Sequence, residues 1–512
     1  MNGLFARKPI ADCEADIRER GGLKRTLNRW HLTALGVGAT IGAGIFATTG
    51  TAIVGDAVRP GAGPAIVLSF VLTAVACGFA ALCYAEFAAM VPIAGSAYTY
   101  AYASLGEFVA WIIGWDLIVE YAVGNIGVAI GWSGHFRELM EMFGVHVPPW
   151  LSTDYRSAHA ASEAVSAGAT DAVNQFLASA WHAAPQIAGI PLIFNLPAFA
   201  AVFLVTIVLV IGVRESADSN NLMVMLKVGL ILFFIAVGLF LLRTENWNNP
   251  ATGGFMPNGW AGVSAGAAII FFSYIGFDAV STAAEEAENP ARDMPFGIIM
   301  SLAVTTVLYI ALSAVMTGIA PWQTLGTAEP MLTALEHANG PAWLLNASRF
   351  LIAIGAVVAM FSVLLVFQLG QPRIFMSMSR DGLLPPFLSK LHPRFKTPYI
   401  ATIITGVFVG TFAATANIAE VVDLTNIGTL FAFVLVSIGV IVLRYQDRDR
   451  PRPFRVPWVP VTPMISVVAC LYLMLQLPGI TWKRFAIWLA VGFVLYFFYG
   501  VRHSRLRNRA AA

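Results

Sequence analysis

The chain is a series of long apolar runs separated by short polar segments. A helix needs about 20 apolar residues, with a usual range of roughly 17–25, to cross a bilayer. About twelve runs approach this length, so we predict about twelve membrane-spanning helices. Their approximate bounds are 31–58, 63–90, 107–132, 195–213, 221–242, 259–284, 296–320, an eighth ending near 370, 399–415, 424–443, 461–477 and 485–499.

The first run is interrupted in its middle. It reads GVGATIGAGIF from Gly36 to Phe46, with glycines at 36, 38, 42 and 44. Each glycine weakens a helix interior by roughly 1 kcal/mol relative to alanine. A broken helix is tolerated in lipid only where the freed backbone groups are buried in protein or line a cavity. The alternative is close helix packing, because Gly38 and Gly42 also form a G-x-x-x-G spacing.

A second interruption lies five runs further on. The sixth run reads GAAIIFFSYIGFDAVSTAAEE from Gly266, with Ser273, Gly276 and Asp278 at its centre. Paired interruptions in corresponding positions of two halves are typical of inverted-repeat secondary transporters. We therefore predict an all-α polytopic membrane protein with a five-plus-five inverted repeat and broken helices 1 and 6.

This pattern divides the chain into five parts. We predict a polar N-terminal tail over residues 1–30, a first five-helix repeat over 31–242 and a second over 259–444. Helices 11 and 12 follow over 456–500, and a basic tail over 501–512. The first repeat contains a long polar segment at about 135–191, which we interpret as a partly helical external loop.

Composition and charge support a membrane protein and orient it. Hydrophobic residues make up 58% of the chain and charged residues 12%, against about 25% charged in soluble domains. With both termini cytoplasmic, about 23 of the 31 Lys and Arg fall on the cytoplasmic side and about seven outside. This asymmetry follows the positive-inside rule. The expected location is the plasma membrane, which is the inner membrane of a bacterium.

Several function classes lack the motifs they need. The four cysteines include no C-x-x-C pair, and we expect neither a disulfide framework nor a metal site. The sequence has no H-E-x-x-H and no phosphate-binding loop, so we expect no enzyme, no cofactor and no nucleic-acid partner. A channel would need a repeated pore motif, and a sensor usually an attached soluble domain.

Three motifs carry a resemblance to a known family. GVGATIGAGIF in the first run, FFSYIGFDAVSTAAEEAENPARDMPFGI around the sixth and QPRIFMSMSRDGLLP after the eighth resemble the cationic amino acid transporter family. That family belongs to the amino acid–polyamine–organocation superfamily. The resemblance covers about residues 25–500 and implies a broken-helix inverted-repeat fold and amino acid transport. It leaves the substrate open, because bacterial members often carry neutral amino acids.

The broken helices predict where an amino acid would bind. Free N–H groups at the start of the second half-helix bind anions, and free carbonyls at the end of the first half bind cations. Around the break at Gly42 we expect the N–H groups of Ala43, Gly44 and Ile45 to hold the substrate carboxylate. The amine should meet carbonyls of Ala39, Thr40, Phe271, Phe272 and Ser273. The Thr40 hydroxyl could join the carboxylate site; alternatively, it bonds a carbonyl of its own helix.

The substrate side chain should lie between the sixth and eighth runs. We expect Phe272 and Ile275 to line this pocket, and matching QPR to the family places Phe367 at its wall. A bulky apolar wall would disfavour arginine and lysine and favour a neutral side chain. The alternative is that Phe367 only packs against lipid or protein, as most aromatic residues of such a chain do.

One cation and two acids inside the runs are candidates for proton coupling. Lys227 is the only lysine or arginine that we place in a run interior. Burial can bring a lysine into the range where it gains and loses a proton, and the resemblance implies such a lysine in the fifth span of proton-coupled relatives. Asp278 and Glu120 could pair with Lys227 or relay its proton. The alternatives are a snorkelling lysine or a static ion pair.

The leading hypothesis is a proton-coupled symporter of neutral, or else cationic, L-amino acids. An amino acid exchanger is the main alternative, and a non-transporting membrane sensor a weaker one. The expected partners are the amino acid, protons and the lipid bilayer. The sequence leaves open a small single-span membrane partner or a bound lipid.

Overall fold

The computed structural model describes residues 3–8, 25–90, 96–169, 172–212 and 217–507. Much of the N-terminal tail, the turn at 214–216 and the end of the basic tail lie outside these residues. The described chain is helical except for one small antiparallel hairpin, Gln186–Ile187 with Ile190–Pro191. It contains nine helical stretches long and apolar enough to cross a membrane, and three shorter apolar helices. The prediction of an all-α polytopic membrane protein is confirmed.

We number these twelve stretches as spans 1 to 12 in chain order. Their bounds are Arg29–Val54, Gly63–Met90, Glu107–Met142, Leu196–Ile211, Asn221–Leu241, Gly259–Ala284, Pro290–Ile319, Ala342–Arg380, Tyr399–Thr415, Ile418–Gln446, Val461–Leu475 and Gly479–Arg507. Span 3 continues beyond the predicted end at 132, and span 8 beyond 370. Backbone hydrogen bonds extend a helix past its apolar run into polar sequence, so hydropathy alone marked these ends too early.

Shorter helices connect the spans. They are Gly3–Phe5, Ser96–Ser104, Pro149–Leu151, Tyr155–Ser166, Ala172–Ala183, Thr244–Asn246, Pro250–Thr252, Trp322–Leu325, Pro330–Glu336 and Pro386–Ser389. The two helices between spans 3 and 4 pack on a small apolar cluster that includes Ala158, Ala180 and Ile193. The long polar segment is therefore partly helical, as expected, although it begins after Met142 rather than near residue 135.

Spans 1 and 6 are both interrupted. In span 1 the helix Arg29–Thr40 ends at Ile41, whose backbone is extended, and a wider helical turn follows at Gly44–Thr48. In span 6 a 3-10 turn, Phe271–Tyr274, leads to extended backbone at residue 275 and to a left-handed Gly276 with φ of 118°. Both predicted breaks are confirmed.

Four pairs of spans that lie five apart in sequence pack against each other. Span 1 contacts span 6, span 2 contacts span 7, span 3 contacts span 8, and span 4 contacts span 9. A five-plus-five repeat places equivalent spans in such pairs, so the packing agrees with the predicted organisation. The exact repeat boundaries, 31–242 and 259–444, stay a prediction.

Both described chain ends lie on one face of the molecule. Lys8 forms an ion pair with Asp381 at 2.8 Å, and the Arg505 N–H donates to the Asp381 carbonyl. Arg507 forms an ion pair with Glu107 at 3.0 Å. We call this face the terminal face. The opposite face carries the segment between spans 3 and 4 and the segment between spans 7 and 8.

Candidate functional site

The two helix breaks face each other at the centre of the molecule. A side chain on Gly44 would overlap the backbone of Ser273. A Cβ on Gly276 would lie 2.8 Å from the Ala39 carbonyl carbon and 3.0 Å from the Thr40 nitrogen. Glycine is therefore required on both sides, because the two interrupted backbones touch directly.

The second half of span 1 presents unpaired N–H groups at the break. Its first backbone hydrogen bond runs from the Phe46 N–H to the Gly42 carbonyl, at 3.3 Å. The N–H groups of Ala43, Gly44 and Ile45 precede this bond and have no partner in the half-helix. Such a helix start is a site for an anion. These are the residues expected to hold a substrate carboxylate, an assignment that stays a prediction.

The carbonyl side of the break is partly occupied. The Thr40 hydroxyl donates to the Gly36 carbonyl at 2.7 Å, which is the alternative considered for this residue. The Thr40 carbonyl accepts a hydrogen bond from the Tyr309 hydroxyl at 3.0 Å. Neither Thr40 group is therefore free here, and the carbonyls of Ala39 and of the 271–273 turn are the better candidates for an ammonium group.

Ser273 adds a polar side chain to this centre. Its hydroxyl is fully buried and has no hydrogen-bond partner among the described residues. The oxygen lies 2.7 Å from the position that a Cβ on Gly44 would take. A buried hydroxyl without a partner is unfavourable, so this one is available for a bound polar group.

Two of the residues predicted to line the side-chain pocket lie along one face of span 3. A Cβ on Gly127 would lie 3.2 Å from the end of the Phe272 ring, and one on Gly124 would lie 3.4 Å from the Phe367 ring. Phe367 also packs on Tyr121, with ring centroids 5.7 Å apart. Ile275 is buried within the span 6 break. The structure thus places Phe272 and Phe367 against neighbouring turns of span 3.

Three glycines of span 3 face the same region and were not among the predicted residues. Gly124, Gly127 and Gly131 recur every three or four residues and so share one helix face. Gly131 faces the side chains of Ala43 and Ala47. The spacing was visible in the sequence, but only a structure shows which neighbours that face meets. Further contacts come from Val363 of span 8 and from Val421 and Thr425 of span 10.

Lys227 reaches span 1 directly beside the break. Its side chain is 2% exposed, and its Nζ donates to the Gly38 carbonyl at 2.6 Å. No carboxylate of the described residues lies within ion-pair distance of it. A snorkelling lysine and a static pair with Asp278 or Glu120 are therefore not the arrangement seen.

Asp278 and Glu120 form a separate acidic centre. Asp278 follows the break of span 6, Glu120 lies in a widened turn of span 3, and both are buried. The two carboxyl groups are close enough to interact, and Asp116 is a further buried neighbour. Within the described chain no cation pairs with them. Two such carboxyl groups cannot both be ionised at low cost, so this centre is suited to holding a proton.

The described residues include no cluster of three His, Cys, Asp or Glu side chains arranged to hold a metal ion.

Ion pairs hold the opposite face closed around the site. Arg59 follows span 1 and binds Asp56 at 2.6 Å and Asp423 of span 10 at 2.7 Å. Arg137 of span 3 lies 3.6 Å from Glu329 in the segment between spans 7 and 8. The centre is therefore closed off from this face.

Comparison with known proteins identifies the family that carries this arrangement. The model of the amino acid permease family matches residues 27–498. The chain belongs to the amino acid permease family. This permease is 45% identical to the branched-chain amino acid permease BcaP of Bacillus subtilis, over 99% of each chain. It is 42% identical to the methylthioribose transporter of the same organism, over 99% of this chain and 100% of that one.

More distant relatives include cationic amino acid transporters. The vacuolar cationic amino acid transporter 4 of Arabidopsis thaliana is 36% identical over 88% of this chain and 68% of its own. The resemblance to the cationic amino acid transporters is confirmed. The permease is a multi-pass membrane protein of the amino acid–polyamine–organocation superfamily, and its function is amino acid transport rather than catalysis.

Proposed function

We propose that this permease is a proton-coupled symporter of neutral L-amino acids in the plasma membrane, which is the inner membrane of a bacterium. The terminal face is cytoplasmic, in keeping with the excess of Lys and Arg assigned to that side. The observation that carries the proposal is the buried Lys227 ammonium, which donates to the Gly38 carbonyl beside the span 1 break. A titratable cation thus touches the element that would hold the substrate.

The substrate backbone binds between the two breaks. Its carboxylate accepts hydrogen bonds from the N–H groups of Ala43, Gly44 and Ile45, at the positive end of a half-helix. Its ammonium group meets the Ala39 carbonyl and the carbonyls of the 271–273 turn. Because both charged groups are satisfied by backbone, this part of the site recognises any L-amino acid.

Lys227 couples the proton to the movement of span 1. A protonated amine forms a charge-assisted hydrogen bond, which is stronger than a neutral one. Loss of the proton therefore weakens the attachment of Lys227 to Gly38 and frees the first half of span 1. Glu120 and Asp278 hold a proton near the same break and relay it towards the terminal face.

The walls of the side-chain pocket favour a neutral aliphatic substrate. Phe272, Phe367, Val363 and Val421 are apolar, and they lie against glycines of spans 1 and 3. An arginine or lysine side chain would place its charge against these walls. The relative BcaP is named for branched-chain amino acids, which fit such a pocket.

A second candidate substrate is methylthioribose, because a full-length relative at 42% identity is named for it. That molecule carries neither a carboxylate nor an ammonium group. It would leave the N–H groups at the start of the second half-helix without an anion.

Transport into liposomes tests these proposals. The purified protein is supplied with labelled leucine, alanine or arginine, with and without an inward proton gradient. We expect leucine and alanine to accumulate only with the gradient. Arginine uptake without leucine would contradict the pocket assignment, and uptake that requires internal amino acid would establish exchange. Inhibition of leucine uptake by methylthioribose, together with uptake of labelled methylthioribose, would support the second candidate.

A lipid or a single-span helix is also proposed as a neighbour within the bilayer. An apolar groove of about 560 Å³ lies between spans 2 and 11, lined by residues that include Leu72, Val75, Met464 and Val468. Co-purification of bound lipid, analysed by native mass spectrometry, would test this.

A further inference from the structure

A cap segment, residues 322–336, covers the opposite face. It contains the helices Trp322–Leu325 and Pro330–Glu336, and it touches the two elements that enclose the candidate site. The backbone of Gly50, in the second half of span 1, packs against the carbonyls of Leu325 and Thr327. On the other side, Glu329 reaches span 3. Movement of the cap segment would therefore open or close the site towards this face.

Glu329 is the contact between the cap segment and span 3. Its carboxylate is buried against Gly134 and lies 3.6 Å from the Arg137 guanidinium. Its Oε1 has no hydrogen-bond partner within the described chain. Arg137 in turn donates to Glu138 at 3.2 Å and lies over the Phe176 ring at 4.3 Å. The acid is thus buried on closure but incompletely satisfied.

We propose that Glu329 is a second proton-binding site of this transporter, which takes up a proton from the opposite face when the cap segment closes on span 3. The proposal rests on the proposed function only in that this face is taken as external.

The charged groups around Glu329 set the direction of the effect. Burial raises the pKa of the Glu329 carboxyl to about 7; the Arg137 cation opposes this shift, and the carboxylates of Glu138 and Glu141 add to it. The second half of span 1 contributes no titratable side chain. On the span 8 side, the cap segment is held by a separate pair, Glu336 with Arg349 at 3.6 Å.

The direction in which pH changes the closed-to-open ratio follows from the pKa of Glu329 in the two states. When the cap segment is open, Glu329 faces water and its pKa returns to about 4.3. The closed state therefore binds the proton more tightly, so acid stabilises closure and alkaline pH opposes it. Between pH of about 4.3 and 7, the ratio of closed to open forms rises by up to about tenfold for each unit that the external pH falls. An external proton thus favours closure of the outer side.

Cysteine labelling measures this closure without any substrate. Ala47 faces Gly131 across the interface of spans 1 and 3, so an Ala47→Cys side chain is shielded while the site is closed. The four native cysteines are replaced by alanine, and a membrane-impermeant maleimide is added to right-side-out vesicles at pH 5 to 8. Rates are divided by those of Ser179→Cys, on an exposed helix surface, to remove the intrinsic pH dependence of the thiol.

We expect normalised labelling to fall as the pH decreases. Glu329→Gln should label slowly at every pH, because its side chain is always neutral, and Arg137→Gln should shift the midpoint to higher pH. Glu163→Gln, on an exposed helix surface between spans 3 and 4, is the matched control and should keep the parental profile. A parental profile in Glu329→Gln, or an unchanged midpoint in Arg137→Gln, would overturn the proposal. Because the labelling assay contains no substrate and no transport step, failure of the proposed symport would be seen separately, in the liposome uptake assay.

Discussion

Lys227 combines burial with a single neutral acceptor. A buried ammonium group normally requires a nearby anion, because desolvation strongly disfavours an isolated charge. Here its nearest hydrogen-bond partner is the Gly38 carbonyl at 2.6 Å, and no carboxylate of the described chain forms an ion pair with it. The proposed coupling role of Lys227 rests on this direct attachment to span 1.

Replacing Lys227 by alanine should separate transport from proton coupling. We expect Lys227→Ala to lose gradient-driven accumulation of leucine, by at least about tenfold, while the backbone groups of the span 1 break still bind the substrate. Liposome uptake with and without the gradient measures the first property, and binding of labelled leucine to the purified protein measures the second. Lys483→Ala, at an exposed position, is the control and should behave as the wild type. Full proton-driven accumulation in Lys227→Ala would exclude the coupling role.

At the scale of elements, span 3 contributes to the proposed side-chain pocket through glycines, which have no side chain. Its glycine face, Gly124, Gly127 and Gly131, meets side chains from spans 1, 6, 8 and 10. Among the opposing side chains, Phe272, Phe367 and Val421 are bulky and apolar, and a Cβ on Gly124 or Gly127 would lie 3.2 to 3.4 Å from one of them. Small residues also let helices approach closely in a bilayer. One methyl group on this face would therefore change either the substrate volume or the helix spacing.

Gly127→Ala should make the permease select smaller substrates. The new methyl group would lie 3.2 Å from Phe272 and 3.4 Å from Val421, inside the proposed side-chain pocket. Displacing one methylene from a pocket changes discrimination by about tenfold or more. We expect the KM for leucine to rise by about tenfold relative to the KM for alanine, measured by uptake under one gradient.

Gly78→Ala is the matched control, since no atom lies within 4 Å of its added Cβ. A parallel rise in both KM values in Gly127→Ala would indicate altered helix spacing instead of pocket volume.

At the scale of the whole molecule, the sequence predicts the order of the spans and their breaks better than it predicts which residues contact each other. The twelve runs and the glycine-rich breaks were readable because the hydrophobic pattern and the backbone cost of glycine are local properties. Helix ends, such as Met142 and Arg380, were not, since hydrogen bonding continues beyond the apolar pattern. The partner of Lys227 and the role of Gly127 depend on which spans meet, and that follows from packing across the whole chain.

The assignment of Thr40 shows the same limit. A threonine at a helix end can bind a ligand or bond its own helix, and both are locally plausible. The structure has the second arrangement, with its hydroxyl on Gly36 and its carbonyl on Tyr309 of span 7. The Tyr309 contact was not visible in the sequence, because five spans lie between these two residues along the chain.

A single buried carboxylate joins the C-terminal end to the body of the molecule. Glu107, at the start of span 3, is fully buried and accepts hydrogen bonds from Tyr102, Tyr496 and Ser504, besides its ion pair with Arg507. Its own N–H donates to the carbonyl of Ala6. The N-terminal segment and the C-terminal end are thus both attached to Glu107, the first through its backbone and the second through its side chain. Removing the Glu107 charge and removing the Arg507 charge should therefore reduce the stability of the protein by different amounts.

Arg507→Gln should destabilise the permease more than Glu107→Gln. Removing the arginine leaves a buried carboxylate without a cation, whereas removing the carboxylate leaves an arginine that can turn to water. A broken buried pair usually costs about 3–5 kcal/mol; we expect roughly 2–3 here, because three hydroxyl donors remain. The apparent melting temperature in detergent should fall accordingly, and Glu141→Gln, at a partly exposed site, should leave it unchanged.

The double variant should match Glu107→Gln, since coupled residues are not additive. Equal losses in the two single variants would show instead that the ion pair does not anchor the C-terminal end.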